Sequence, residues 1–132
     1  MVYLNVSIAQ IEQARQIVAI ASVQNRFSLA DRSGEDVLDY CTRHNIMFIP
    51  HGSLAAHPLR QGAPLANAAG VLADIATQHG VQSSQVALAW MLHRAPNIVL
   101  IPGTTAIAHL EENTAAASIK LTAVELELLN QM

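Results

Sequence analysis

Cysteine is nearly absent from this chain, since Cys41 is the only one in 132 residues. A single thiol excludes an internal disulfide, so packing and hydrogen bonds must hold the fold together. Cys41 lies on the apolar side of a predicted helix, a position that favours a buried core thiol over a nucleophile. Aromatic residues make up only 4% of the sequence, which leaves a core built mainly from Ala, Ile, Leu and Val.

Charged residues are also scarce, at 13% of the chain. The seven basic residues are scattered singly and the net charge is −3, so the sequence lacks the basic stripe of a nucleic-acid-binding protein. We therefore expect no nucleic-acid partner. The six histidines show no His-Glu-x-x-His or comparable spacing, and we expect no metal.

Long hydrophobic runs are missing as well. Residues 1–11 show no basic region of the kind that begins a signal peptide. The best candidate for a membrane span, residues 46–59, is interrupted by Pro50, His51, Gly52, Ser53, His57 and Pro58. These features predict a soluble, cytoplasmic protein with no membrane partner.

Short apolar runs alternate with helical segments along the chain. Residues 2–5, 18–23, 46–49 and 97–101 are the apolar runs. Helices are predicted from Ser7, from Ser33 to Asn45, over residues 65–79 before Gly80, over residues 86–94 after Ser83 or Ser84, and from Thr122 with Glu125 as its capping partner. This alternation predicts right-handed βαβ units and a parallel sheet of four strands in one domain. No Gly-x-Gly-x-x-Gly follows any strand, which argues against a Rossmann domain.

The stretch over residues 101–113, IPGTTAIAHLEEN, constrains the function most. The run before it is typical of a buried parallel strand, which Pro102 and Gly103 end. Thr104 and Thr105 then stand at the start of a predicted helix, where unpaired backbone N–H groups favour an anion. The same spacing also fits a plain strand-turn-helix in which the two threonines only cap the helix.

Several segments resemble the aldo-keto reductases. They are Asn-Val-Ser beginning at Asn5, SVQNRFS at 22–28, FIP at 48–50, QVALAW at 85–90 and the stretch at 101–113. The resemblance covers nearly the whole chain and implies the fifth to eighth strands of a (β/α)8 barrel. The expected fold is therefore α/β, a parallel four-stranded half of a TIM barrel with flanking helices. Residues 1–132 would form a single partial domain that carries the NADP-binding segments.

The resemblance also implies a cofactor, NADP(H) in preference to NAD(H), and the residues that hold its adenosine end. Gly103, Thr104 and Thr105 would contact the 2′-phosphate and ribose. Glu112 and Asn113 would hydrogen-bond the adenine.

At the nicotinamide end, the resemblance implies that Asn5 and Gln24 hydrogen-bond the carboxamide, because amide side chains offer both a donor and an acceptor. From the residues alone, the preferred interpretation of Gln24 is a polar group at a strand end that meets water. The other cofactor contacts that the resemblance implies are His51, Gly52, Ser53, Leu54, Ile101 and His109.

Three positions depart from the family pattern. His51 stands where family members stack a Trp, Tyr or Phe on the nicotinamide ring, and a histidine offers a smaller face for stacking. A lone loop histidine is otherwise simply solvated. Leu4 replaces a frequent serine beside Asn5, which removes a polar contact. His109 stands where many members carry an arginine, which weakens the expected preference for NADP over NAD.

The family's catalytic Asp, Tyr, Lys and His come from the first half of the barrel, and the resemblance begins after all four. Tyr3 and Tyr40 are placed at a strand start and on a helix face, and Lys120 is the only lysine. The pattern therefore predicts a cofactor-holding half without the groups that deliver a proton to a carbonyl.

Three hypotheses about function are left open. The chain is a fragment or truncated product of an NADP-dependent reductase that is inactive alone, or a nucleotide-binding module without turnover. The third is a half-barrel that assembles, either as a homodimer through exposed sheet edges or with a separate first half.

Overall fold

The computed structural model describes residues 2–54 and 70–132. In these two ranges the strands are β1 (Val2–Leu4), β2 (Ser22–Arg26) and β3 (Met47–His51). The helices are α1 (Ile8–Arg15), α2 (Glu35–Arg43), α3 (Val71–His79), α4 (Ser83–Arg94), α5 (Ile107–Ala115) and α6 (Ala123–Asn130), with a 3₁₀ helix at Ala116–Ser118. The first residues of the helix predicted from residue 65 lie outside the described residues.

The three strands form one parallel sheet in the order β1-β2-β3, which confirms the predicted α/β class. Leu4 pairs with Gln24, and Gln24 pairs with Ile49. The carboxyl ends of the strands therefore meet at one edge of the sheet. Successive side chains along each strand alternate between the two faces.

The fourth predicted strand, residues 97–101, is reduced to a single parallel bridge between Phe48 and Ile98. The Phe48 N–H donates to the Asn97 carbonyl at 2.9 Å, and the Val99 N–H donates to the Phe48 carbonyl at 2.9 Å. The next bond of this ladder would need an N–H on Pro50, which proline lacks. The pairing therefore stops after one residue, and the prediction of a four-stranded sheet was wrong at this edge.

The two faces of the sheet differ in what covers them. Val23 and Phe48, on one face, are fully buried against the helices. On the other face Leu4 is 60% exposed and Met47 is 44% exposed. The core therefore lies on one side of the sheet only.

An aromatic cluster forms the centre of that core. The Phe27 ring stacks on Trp90 with centroids 5.8 Å apart and meets Phe48 edge-on at 6.1 Å. Trp90 is 1% exposed, so it packs in the core and offers no open face on which a ligand could stack. Cys41 is likewise fully buried, and burial raises the pKa of its thiol to about 11. A thiol with that pKa is not a thiolate nucleophile near neutral pH.

The second strand begins later than its hydrophobicity predicts. The apolar run at 18–23 was expected to form it, but β2 covers Ser22–Arg26, and Val18 is 37% exposed in the connection after α1. The reason is that β2 has one face away from the core, which accommodates polar residues such as Gln24. Hydrophobicity alone cannot locate such a strand.

Two of the predicted helix N-caps were wrong. Ser33 does not cap α2, because its hydroxyl donates to the Asp31 carboxylate at 2.6 Å, and Gly34 takes the cap position. Helix α4 begins at Ser83 with Gln82 as N-cap, and the Gln85 side chain accepts from the Gln82 N–H at 3.0 Å.

Other predicted helix boundaries are confirmed. Ser7 and Thr122 cap α1 and α6. Gly80 ends α3 with φ +66°, and Asn45 follows α2 with φ +54°, both in the left-handed region. Helices in the described ranges reach at most 12 residues, as in α4, which is too short to cross a membrane.

Glu125 caps α6 and also connects this helix to α3. Its carboxylate accepts from the Thr122 N–H at 2.6 Å and the Thr122 hydroxyl at 2.8 Å, and it contacts His79 Nε2 of α3 at 2.8 Å. The Thr122 backbone donor is the main reason that the pKa of Glu125 lies below its ordinary 4.5. A carboxyl with a lowered pKa stabilises the fold above its ordinary pKa and loses that effect as the pH falls through its folded value.

We expect Glu125→Gln to lower the free energy of unfolding by about 1 kcal/mol at about pH 7, the usual contribution of a helix cap. The difference from the original chain should shrink between about pH 7 and about pH 3, because the folded carboxylate, whose pKa lies below 4.5, is increasingly protonated as the pH falls. Urea denaturation at both pH values measures this. Glu127→Gln, an exposed change on the same helix, is the matched control and should show neither effect. A loss that is equal at both pH values would contradict the role of the charge.

Candidate functional site

Polar side chains gather where β1, β2 and β3 end. Asn5 follows β1 directly, Gln24 lies in β2, and His51 is the last residue of β3. The Asn5 N–H donates to the Gln24 carbonyl at 2.8 Å, and His51 Nε2 lies 2.6 Å from Asn5 Oδ1. The structure thus brings the Asn5 and His51 side chains together, whereas Gln24, the third residue of β2, meets Asn5 through its backbone carbonyl.

The backbone at Asn5 takes an unusual conformation. Its φ of +51° is in the left-handed region, which asparagine tolerates better than most residues. The turn at Asn5 and Val6 redirects the chain from β1 into α1, whose N-cap is Ser7. The side chain of Asn5 is therefore presented at the end of the strand, where it is exposed.

Asn25 is a structural part of this site that the sequence reasoning did not assign. Its Oδ1 accepts from the Val6 N–H at 3.0 Å and its Nδ2 donates to the Val6 carbonyl at 2.8 Å. Asn25 is only 8% exposed, so this two-point clasp is shielded from water. The clasp joins the turn after β1 to β2 and fixes where Asn5 stands. Asn25 lies in the SVQNRFS segment, but no sequence pattern indicates that its partner is Val6.

Arg26 is a second residue that the sequence reasoning left without a role. It pairs with His51 in the sheet register, and its Nε lies 2.5 Å from Asp31 Oδ2. The Ser33 hydroxyl, followed by Arg26, holds the pKa of Asp31 below its ordinary value. Arg26 also lines a polar cleft of about 330 Å³ together with Asn5, Ser7, Asn25, Ser33 and Asp36.

The loop after β3 meets the segment after the Ile98 bridge. Gly52, Ser53 and Leu54 line a small cavity of about 100 Å³ with Ile101 and Gly103. Gly52 has φ +69°, a conformation that favours glycine. Ser53 is only 5% exposed. All five are residues predicted to contact the cofactor, and the fold places them around one space.

The predicted phosphate loop opens into a separate cleft of about 380 Å³. Thr104 Oγ1 accepts from the Ala106 N–H at 3.1 Å, just before α5 begins at Ile107. Ala106 is the N-cap of α5, which has no side-chain capping bond, so the prediction that the threonines cap this helix was wrong. The Thr104 contact closes a turn within the loop before the helix. Thr105 is exposed, and Ile107 is 77% exposed on the wall of the same cleft.

The residues predicted to hold the adenine lie on α5. His109, Glu112 and Asn113 are spaced i, i+3 and i+4, which places them on one face of the helix. The Glu112 carbonyl accepts from Gln85 Nε2 of α4 at 3.0 Å, and this bond attaches α5 to α4. All three residues lie on the helix that directly follows the Thr104 loop.

Tyr40 is not placed to donate a proton to a substrate. It is 4% exposed on α2, its hydroxyl accepts from Arg15 Nη1 at 2.7 Å, and its ring packs on His44. Tyr40 is thus occupied in fixing α1 against α2. Among the described residues, no group of three or more His, Cys, Asp or Glu side chains is arranged to hold a metal ion.

Comparison with known proteins confirms the family resemblance. The sequence profile described as "Aldo/keto reductase family" matches residues 4–132. Pyridoxine 4-dehydrogenase of Escherichia coli is 39% identical over 126 residues, which cover 96% of this chain and 42% of that protein. An uncharacterized oxidoreductase of Schizosaccharomyces pombe is 41% identical over 117 residues, 89% of this chain and 36% of the relative.

Solved structures agree in fold. An aldo-keto reductase from Klebsiella pneumoniae in complex with NADPH has a TM-score of 0.83 and 28% identity over 97% of this chain and 45% of that one. A second, from the same organism with NADP and acetate, has a TM-score of 0.81 and 30% identity over 97% of this chain and 46% of that one. The chain therefore spans less than half the length of these relatives.

Proposed function

Because this chain belongs to the aldo/keto reductase family, we propose that residues 1–132 form a partial domain that holds NADP(H) for a carbonyl or alcohol oxidoreductase and is inactive alone. The observation that carries the proposal is the contact between the His51 and Asn5 side chains where β3 and β1 end, next to β2, whose Gln24 carbonyl accepts from the Asn5 N–H. In barrels of this class, ligands bind at that edge.

The residues present suit each end of such a cofactor. Asn5 and Gln24 both carry amide side chains, and two amides would suit a carboxamide with its own donor and acceptor. At the other end, Thr104 and Thr105 precede α5, whose first N–H groups favour a phosphate. NADP(H) would supply or accept a hydride, while the chain would bind it and orient its two ends.

The other proposed contacts form two groups. Gly52, Ser53, Leu54, Ile101 and Gly103 would contact the cofactor across the cavity that they line. His109, Glu112 and Asn113 would face the adenine from α5. Two solved relatives contain NADPH or NADP, which supports a nicotinamide cofactor for this chain. The cytoplasmic location stays a prediction, which cell fractionation tests.

The phosphate end of the site is tested with the two threonines. We expect Thr104→Ala with Thr105→Ala to weaken NADP(H) binding about 10- to 100-fold, because hydrogen bonds to a charged group are worth about 1.5–3 kcal/mol. Calorimetry with NADP and NAD measures this, and the original chain should prefer NADP. Thr114→Ala, an exposed change near the end of the same helix, is the control. Equal affinity of the original chain for NAD and NADP would argue against a phosphate-specific site.

The chain by itself should not reduce carbonyls. Tyr40 is bound to Arg15, Tyr3 lies within β1, and neither has a lysine near it in the sequence. Loss of general acid catalysis typically lowers a rate about 100- to 10,000-fold. NADPH oxidation with a reactive aldehyde should therefore match a buffer control. Oxidation well above that control would contradict the proposal, whereas tight NADPH binding without oxidation favours a nucleotide-binding module without turnover.

The exposed face of the sheet supports assembly with a second copy of the chain. Leu4, Met47, Val99 and Ile101 are each 42% to 60% exposed. In a closed barrel these inward side chains pack in layers against those of the other strands. Neither β1 nor residues 97–101 carries a charge that would repel another strand, so both edges can pair.

We expect a soluble preparation to be a homodimer through this face or its edges, or else poorly folded. Light scattering at micromolar concentration and thermal unfolding measure this. Met47→Glu, which places a charge on the exposed face, should dissociate the dimer, whereas Ile17→Glu, at a site 87% exposed after α1, should not. A compact monomer of the original chain that melts cooperatively would contradict the assembly. If the chain instead forms a complex only with a separately expressed first half of the barrel, the hypothesis of a separate first half is favoured over the homodimer.

A further inference from the structure

The ring of His51 makes a hydrogen bond that the stacking role does not require. His51 Nε2 lies 2.6 Å from Oδ1 of Asn5, although the two residues are 46 positions apart in the chain. Oδ1 is an acceptor only, so Nε2 must carry the proton and donate it. The N–H bond at Nε2 lies in the plane of the imidazole. The hydrogen bond therefore turns the edge of the ring, and not its face, toward Asn5.

The bond also decides which end of Asn5 a ligand meets. With Oδ1 held by His51, the amide nitrogen Nδ2 is the end of the side chain that can donate to a ligand oxygen. The backbone of Asn5 is already fixed by its bond to the Gln24 carbonyl and by the clasp of Asn25 on Val6. The rotation of the amide about its own χ angles is the remaining freedom, and His51 removes it.

We propose that His51 is a positioning residue that sets the orientation of the Asn5 amide, so that Asn5 donates to the carbonyl oxygen of a ligand carboxamide. The inference rests on the proposed cofactor role, and it assigns to His51 a contribution by its hydrogen bond rather than by the face of its ring. Holding the amide in one orientation before binding lowers the entropy lost on binding. The class of ligand that this arrangement selects is an aromatic ring that bears a primary carboxamide.

Two substitutions separate the hydrogen bond from the ring face. His51→Phe keeps an aromatic face and removes the donor. His51→Gln removes the ring and keeps an amide N–H that reaches about as far as Nε2. If His51 acts through Asn5, His51→Phe weakens NADPH binding about tenfold, the effect of one lost hydrogen bond, and His51→Gln restores it. If the ring acts by stacking, the order of the two variants is reversed.

The experiment is calorimetric titration of the original chain, His51→Phe, His51→Gln, Asn5→Ala and the double variant Asn5→Ala with His51→Phe. Each is titrated with NADPH and with adenosine 2′,5′-bisphosphate, which has the phosphate end but no nicotinamide. The bisphosphate should bind all five proteins equally, which also shows that each variant is folded. The double variant should bind NADPH no more weakly than Asn5→Ala alone, because His51 acts through Asn5.

The possible failures are distinct. NADPH binding by His51→Phe that equals or exceeds that of the original chain, with bisphosphate binding intact, would overturn the positioning role and leave the proposed function standing. Additive losses in the double variant would do the same. An original chain that binds neither compound would overturn the proposed function and this inference with it.

Discussion

The hydrogen-bonded register of β1, β2 and β3 is the constraint on which the rest of the structure depends. It places Leu4, Gln24 and Ile49 side by side, and alternation along each strand then sends Val23 and Phe48 to the opposite face. That opposite face is buried under the helices around the Phe27 and Trp90 rings. The same alternation puts Leu4 and Met47 on the face that the helices do not cover, where both are exposed. The register therefore sets both the buried face and the open face.

The candidate site uses the polar ends of this register. The buried amide of Asn25 connects the turn after β1 to β2, and His51 reaches back from β3 to Asn5. The site is therefore built by bonds between strands rather than within one loop. Arg26 belongs to the same edge, where its pairing with Asp31 places a balanced pair of charges beside a polar cleft. Rigid strands that carry such side chains hold them more precisely than a loop would.

The sequence alone predicted most of the elements, and the errors in them have identifiable physical causes. The proposed cofactor contacts came from the family resemblance and stay predictions. Residues 97–101 have a strand composition, but Pro50 lacks the N–H that a longer ladder needs. Serine is a residue type that often caps helices, but the Ser33 hydroxyl donates to the Asp31 carboxylate instead. The run at 18–23 is apolar but lies partly before β2, because the open face of that strand accepts polar residues.

The sequence by itself determined the features that depend on short spacing or on family motifs. Ser7 with Gln10 and Thr122 with Glu125 are three residues apart, so the caps of α1 and α6 can be predicted without the fold. The motif at residues 101–113 predicted a helix after the two threonines, and α5 begins at Ile107, two residues past Thr105. Only the tertiary structure decided that Asn25 holds Val6, 19 residues away, and that His51 bonds Asn5, 46 residues away. Contacts of that kind depend on the register and on which face each side chain takes, and a shift of one residue in a strand would reverse them.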